Sequence, residues 1–369
     1  SRSMKVCSLH AALVLVAIPV LMFRRLSPTT ANRVITLQPD QYPTLRAFLD
    51  HSNPSYHTSI DADSIRSNLL SWYQKNRRRL PWRGDAPPYN GSTAASAMNA
   101  ASKNSAPESV GETPQPVSAY GVWVSEIMLQ QTRVEAVIPY WIEWMKAFPT
   151  VEALANATEE EVNAKWAGLG FYRRAKYLHE GSKQVVRDFG GQLPTTVDDL
   201  LQIKGIGPYT AGAIASISAG VSAPIVDGNV LRVLARLCAI VAHPKEPAFA
   251  NDGKIAWQIA KVLVEAGGGH QPGNFNQALM EIGATYCAPA GSGIDERDPL
   301  VPQYRTTRIG REAYKAHKAG ELTSMLNGCA GLRSCPLCAN GADIALDRLH
   351  DIVRGSVLDE DSAASLLHT

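Results

Sequence analysis

The chain has 369 residues, 45% of them hydrophobic and 19% charged, enough for two modest domains with buried cores. Its 36 Lys and Arg stand against 34 Asp and Glu, a formal net charge of +2, which excludes a polybasic binder of nucleic acid or membrane, so any basic surface has to be local. Six cysteines, with Cys7 and Cys238 isolated and Cys287, Cys329, Cys335 and Cys338 in the last third, form no secreted disulfide framework and read as a late metal site.

Residues 1–58 show no steady period and are expected to be an extension outside the fold. Within them Ala11–Phe23 is an apolar run of 13 residues between Lys5 and Arg24-Arg25, short of the about 20 a membrane span needs. Pro19 and the lack of a small-x-small cleavage site speak against a secretion signal. The few acids and several arginines before Asp40 suit a mitochondrial import segment about as well as an unordered extension or a misassigned start, and no membrane partner is expected of the mature protein.

Asp61 begins a helix with Ile65, Leu69, Leu70, Trp72 and Tyr73 on one face. Lys75 to Arg83 follows as a basic cluster around Trp82, either a solvated face or, through its interleaved aromatic, a nucleic-acid contact. Residues 84–118 turn to Ala, Ser, Asn, Pro and Gly and read as a disordered insertion. Helical patterns then succeed one another over 134–148, 158–167, 173–189, 196–203, 208–219, 229–241, 253–266 and 274–286, with almost no strand alternation. The fold is expected to be all-α. Residues 288–328 read as an insertion between Cys287 and the other late cysteines, and 346–369 as a frayed tail.

Three features carry chemistry. Leu200 to Ile214 reads as a helix-hairpin-helix in which Gly205 and Gly207 are expected at positive φ and Pro208 opens the second helix. The free amides of such a turn, beside a positive dipole end, suit an anion, most naturally a DNA phosphate; an ordinary turn between core helices is the alternative. Glu126 stands among apolar neighbours, where burial raises a carboxyl and readies it to give up a proton near neutral pH. Asp227 stands at the start of the helix from Asn229, where dipole and amides favour its anion, though an N-cap alone would look the same. An acid and an anion pushed in opposite directions suit glycosidic bond cleavage through an oxocarbenium-like state.

From Leu69 to Cys287 the chain resembles the helix-hairpin-helix DNA glycosylases, and among them the MutY family of adenine DNA glycosylases. The matching blocks are Leu80-Pro81-Trp82-Arg83, Val122 to Thr132, Trp166 to Tyr172, the hairpin with Thr210 to Ile214, and Asp227-Gly228-Asn229-Val230, in the family's order. The resemblance implies two helical subdomains with a DNA cleft between them: a six-helix hairpin subdomain over 119–234, and a cluster-type subdomain from 59–83 plus 235–345.

It further implies that Glu126 protonates an extruded adenine and later helps activate water, that Asp227 stabilises the sugar cation, and that Tyr209 and Asn229 support the two carboxylates. Gly205 and Gly207 would hold the strand. Gln130, Gln131, Phe171 and Arg83 would contact DNA near the lesion, with Phe171 where the family usually has tyrosine. Trp82, Arg83, Leu129 and Glu281 would form the base pocket; for Leu129 and Glu281, plain core and helix surface remain equal alternatives. Tyr209 replaces the lysine with which endonuclease III-like enzymes cut the strand, so the expected enzyme removes adenine opposite 8-oxoguanine or guanine with little lyase activity. An endonuclease III-like pyrimidine glycosylase and lyase, or a catalytically silent DNA-binding module, are the alternatives.

The family holds a [4Fe-4S] cluster with Cys-x6-Cys-x2-Cys-x5-Cys. Here Cys287 matches the first ligand and Cys335 and Cys338 the x2 pair, Ile344 stands at the last position, and Cys329 is the substitute. The cluster is expected on these four cysteines, with zinc on the same four, or no metal, as alternatives. The chain ends about thirty residues after Cys338, so no Nudix-like domain is expected. A monomer acting on mismatched double-stranded DNA in the nucleus, with the mitochondrion left open, completes the expectation.

Overall fold

A computed structural model of the chain describes residues 40–90, 116–241, 246–251, 254–289 and 291–367. The apolar run 11–23 and residues 91–115 of the expected insertion lie outside them. Helices begin where short polar side chains can cap them. Asp61 accepts from the Ser64 amide, Ser118 from Gly121, Thr150 from Ala153, Thr196 from Asp199 and Asp227 from Val230, and Thr158 with Glu161 forms a reciprocal capping box. Among the described residues there is no strand, and no helix is long and apolar enough to cross a membrane.

The helices are α1 (Pro43–Asp50), α2 (Ser55–Thr58), α3 (Ala62–Asn76), α4 (Ala119–Leu129), α5 (Val134–Ala147), α6 (Val151–Asn156), α7 (Glu159–Trp166), α8 (Arg173–Phe189), α9 (Val197–Leu200), α10 (Pro208–Ala219), α11 (Gly228–Cys238), α12 (Pro247–Ala250), α13 (Ile255–Glu265), α14 (Pro272–Ala284), α15 (Arg305–Lys318), α16 (Leu322–Asn327), α17 (Gly331–Ser334), α18 (Ala339–Val353) and α19 (Glu360–Ser365). They bury three apolar cores. The first gathers α4 to α10 around Trp123, Trp144 and Trp166, with Leu80 and Trp82 closing it. The second joins α3 to α11, α13 and α14 around Leu69, Leu234, Phe275 and Leu279.

A third core corrects the expected boundaries. Within the supposed extension, α1 buries Leu45, Phe48 and Leu49. Within the supposed insertion, Leu300 and Tyr304 join the second core and α15 buries Ile309 and Ala313 in the third. Within the supposed tail, Leu349 and Ile352 of α18 and Ala363 of α19 are fully buried. Each of these stretches has few large apolar residues, but they fall at helical spacing and cover one another. Close approach decides one contact here: a Cβ on Gly310 of α15 would lie 1.9 Å from the Ala363 carbonyl oxygen of α19.

Candidate active site

Helix α4 is buried on all sides from Tyr120 to Met128, so Glu126 carries its carboxyl into the protein, where it is 6% exposed. The Tyr209 hydroxyl, from the first turn of α10, donates to Glu126 Oε2 at 2.7 Å and lies 3.0 Å from Met280 Sδ. Burial pushes the Glu126 carboxyl up to about 7; the Tyr209 hydrogen bond pulls it down, the Asp227 charge pushes it up and Arg83 pulls it down. Glu126 is therefore a carboxylic acid able to give its proton near neutral pH.

Asp227 caps α11. Its Oδ1 accepts from the Val230 amide at 2.8 Å and its Oδ2 from the Asn229 side-chain amide at 2.8 Å, while Arg232 holds Asn229 Oδ1 at 2.6 Å. The expected opposite displacement of the two carboxyls is not what the site does. Burial raises Asp227 as well, against the Val230 and Asn229 donors that lower it. What distinguishes the pair is the number of donors on each, two on Asp227 against one on Glu126. Helix α14 fixes this corner, since a Cβ on Gly283 would meet Asn229 Cβ at 2.6 Å.

Both carboxyls open into one cleft of about 1240 Å³ lined by Trp82, Arg83, Leu129, Gln130, Gln131, Phe171, Tyr209, Asn229 and Glu281 as well. The residues expected to form the base pocket and to contact DNA near the lesion are thus brought together. Glu281 is neither plain helix surface nor a free recognition group: it is 2% exposed, accepts from the Arg78 amide at 2.7 Å and pairs with Arg83 Nη1 at 2.6 Å. Although burial opposes it, Arg83 and Arg78 hold this carboxyl below the ordinary range. The basic cluster accordingly builds a wall more than it faces outward, with Arg77 paired to Asp85 and Arg79 donating to the Ala86 carbonyl.

The hairpin follows the expected course with one correction. Gly205 has φ +85° and an added Cβ would fall 2.7 Å from Tyr177 Cβ, so glycine is required there. Gly207 has φ −100° and ψ 178°, extended backbone open to any residue, and a Cβ on it would meet nothing within 4 Å. Among the described residues the amides of Gly205 and Gly207 have no hydrogen-bond acceptor, which leaves them for an anion at the start of α10. Lys204 turns to α8, where it pairs with Glu180 at 2.9 Å, and among the described residues no lysine lines the cleft.

Sequence reasoning missed Arg174. Its guanidinium, 8% exposed, donates to the carbonyls of Ile127, Met128 and Gln130 at the end of α4, to Thr132 Oγ1, and to the carbonyls of Leu169 and Gly170. One cation thus ties together the two loops that carry Gln131 (φ +56°) and Phe171 (φ +47°), both in left-handed conformations that ordinary residues avoid. The signal available was a second arginine directly after a basic residue, and nothing in that pattern tells a buried guanidinium from a solvated one. Gln277 and Met280 of α14 were missed likewise, and Arg78 was read only as one of the basic cluster; all three line the cleft.

Residues 124–257 match the family described as HhH-GPD superfamily base excision DNA repair protein. The chain is 41% identical over 285 residues to the adenine DNA glycosylase of Mus musculus, covering 75% of this chain and 48% of that protein. It is 43% identical over 292 residues to the enzyme of that name from Homo sapiens (78% and 47%) and 44% identical over 271 residues to that of Arabidopsis thaliana (68% and 38%). The chain belongs to the MutY family of helix-hairpin-helix glycosylases. It spans about half the length, or less, of these curated relatives.

Membership of this family raises the question of the iron–sulfur cluster, which takes four thiolates. The expected ligand set needs correction. Cys335 and Cys338 come together, but with His51 and His57, in a buried Cys/His group of metal-ligand spacing. Cys287 is held elsewhere, its Sγ accepting from Arg236 Nη1 at 2.8 Å, and Cys329 donates to the Leu49 carbonyl at 3.4 Å. Tyr304 and Asp298, joined at 2.8 Å, complete the surroundings of Cys287. The described residues do not fit a cluster held by the four cysteines.

Proposed function

We propose that the chain is an adenine DNA glycosylase that hydrolyses the N-glycosidic bond of adenine mispaired with 8-oxoguanine or guanine in double-stranded DNA. The observation that carries this reading is a buried carboxylic acid, Glu126, held by Tyr209 at 2.7 Å and opening into the same cleft as the capped carboxyl of Asp227. The Gly205–Gly207 turn would grip backbone phosphate, and the Gln131 and Phe171 tips would enter the base stack as the nucleotide swings out. Trp82 offers the extruded base an aromatic wall, and the Arg83–Glu281 pair keeps that wall rigid.

In this mechanism Glu126 gives its proton to N7 of the adenine, and the C1′–N9 bond breaks with its electron pair going to the base. The Asp227 carboxylate stabilises the positive charge on the sugar. Water then adds to C1′ and its proton passes to Glu126, which restores the acid. No step needs a metal. With no lysine among the described residues lining the cleft, a Schiff base is not expected, and borohydride should trap little enzyme on DNA. We further propose a monomer acting on nuclear DNA, the mitochondrial alternative resting on residues 1–39 alone.

The test is single-turnover release of adenine from a duplex carrying adenine opposite 8-oxoguanine, comparing wild type, Glu126→Gln and Asp227→Asn. Both variants should fall by at least about a hundredfold. Unchanged release in both would remove this mechanism, and efficient borohydride trapping would favour a lyase.

A further inference from the structure

We propose that Arg133 and Arg173 form a phosphate clamp, one arginine behind each of the two tips that enter the base stack, holding the DNA backbone on either side of the opened step. The inference rests on the glycosylase reading above. Among the described residues five arginines line the cleft, Arg78, Arg83, Arg133, Arg173 and Arg174. Three of them are committed inside the protein. Arg78 and Arg83 share the buried Glu281 carboxylate at 3.2 and 2.6 Å, and Arg174 gives its hydrogens to backbone carbonyls and Thr132. Arg133 and Arg173 are exposed, and neither has an acidic partner among the described residues. Glu135, exposed on the same wall, pairs with neither.

The places of these two arginines in the chain match. Gln131 and Phe171 form the tips, both at positive φ, and Phe171 is 60% exposed. Arg174 donates to the Gln130 and Gly170 carbonyls together, so the tips stand side by side. Each tip is followed two residues later by one of the arginines, Arg133 at the entry to α5 and Arg173 as the first residue of α8. Two residues of chain span at most about 7 Å, and a strand advances about 3.4 Å per nucleotide. A guanidinium so placed reaches the backbone within about two nucleotides of the wedge.

Arg173 is also tied to the hairpin. Its Nη2 donates to the Tyr177 hydroxyl at 2.9 Å, one turn further along α8, and an added Cβ on Gly205 would meet Tyr177 Cβ at 2.7 Å. Arg173 therefore stands between the Phe171 tip and the Gly205 turn, with its other donors left for an anion. The phosphate it takes belongs to the strand that the hairpin grips, and Arg133, on the loop after α4, takes the one across the wedge. The planar fork of a guanidinium matches two phosphate oxygens. Driving two side chains into a base step costs stacking energy, which backbone contacts on both sides of the bend offset. The clamp touches no base edge, so it sets where the strand lies and not which base is accepted.

The test measures the affinity of the full chain between about 50 and 200 mM salt for a duplex carrying 8-oxoguanine opposite a 2′-fluoro adenine nucleotide. The fluorine withdraws electrons from the developing sugar cation and so keeps the duplex intact. Arg133→Gln and Arg173→Gln should each reduce the slope of log affinity against log salt by about 0.9, and the double variant by about 1.8. Arg133→Lys and Arg173→Lys, which keep the charge, should keep the slope. Arg354→Gln, an exposed arginine already paired with Asp347 and Asp351, should leave it unchanged. Neutral methylphosphonates are then placed one at a time along both strands. One on each side of the lesion pair should weaken the wild type at least about threefold and leave the matching glutamine variant unaffected. Unchanged slopes in both glutamine variants, or no methylphosphonate whose effect disappears with either arginine, would overturn the clamp while the glycosylase reading stands. A wild type that releases no adenine from the unmodified mismatch would instead remove the reading on which the clamp rests.

Discussion

Replacing Tyr209 with phenylalanine tests the acid directly. The hydroxyl donates to Glu126 Oε2 at 2.7 Å in a buried site, and a hydrogen bond to a charged group is worth about 1.5–3 kcal/mol against about 0.5–1.5 for a neutral partner. The anion of Glu126 therefore loses about 1–1.5 kcal/mol more than the acid does when the hydroxyl goes, and 1.36 kcal/mol corresponds to about one pKa unit. Wild-type adenine release should fall as pH rises through about 7, where Glu126 loses the proton it must donate. In Tyr209→Phe this falling limb should move up by about one unit. The assay is the single-turnover rate on an adenine:8-oxoguanine duplex between pH 5.5 and pH 9. A limb that stays in place or moves down would refute the assignment of Glu126 as the acid, or of Tyr209 as its partner.

The remaining predictions concern stability and geometry. Because burial raises Glu126 from 4.5 to about 7, its contribution to stability is full below about pH 4.5 and is lost as pH rises through about 7; Glu126→Gln should therefore be more stable than wild type at pH 8, by up to about 3 kcal/mol in urea denaturation, and not at pH 5. Asp227→Asn should keep the α11 cap, because asparagine caps as well as aspartate, so its melting temperature should stay within about 2 °C while adenine release falls by about 10²–10³. Removing that charge should also lower the falling limb of the residual activity, opposite in sign to Tyr209→Phe. Arg174→Met should cost at least about 3 kcal/mol by leaving the carbonyls of Ile127, Met128 and Gln130 without their donor, and should slow adenine release without moving its pH limb.

The blocks legible in the sequence were those in which residue type and local conformation agree. Glu126 in an apolar stretch had to be buried wherever α4 packed, and Gly205 before Pro208 had to turn sharply. The expected membership of the MutY family, the all-helical fold and the gathering of Trp82, Tyr209 and Asn229 in one cleft rest on such local signals. What failed depended on which distant residue arrives. His51 and His57 lie in a stretch with no helical period long enough to register, yet they meet Cys335 and Cys338 from nearly three hundred residues away. Cysteine counting named two members of that group, Cys335 and Cys338, and added Cys287 and Cys329, because thiols are conspicuous and two unremarkable histidines are not. Arg77 and Arg78 were read only as part of a solvated face or nucleic-acid contact, and Arg83 as a pocket residue without its ion pair, since the acidic partners Asp85 and Glu281 could not be paired with them in advance.

The roles of the two carboxyls turn on donors rather than on the helix end alone. The start of α11 does favour an anion at Asp227, but the half-enclosed position costs its charge enough that burial outweighs the Val230 amide and the Asn229 side chain. Burial raises Glu126 too, with one side-chain donor, Tyr209, to oppose it and with a second carboxylate nearby. The first proton to leave the pair therefore leaves from Asp227. Once it has gone, the new negative charge holds the second proton more firmly on Glu126. Acid and anion are thus produced by one another, from two groups that burial pushes the same way, and each depends on its own hydroxyl or amide staying in place. Tyr209 on α10 and Asn229 on α11 are those groups, which makes the hairpin a part of the proton chemistry as well as the proposed grip on the strand.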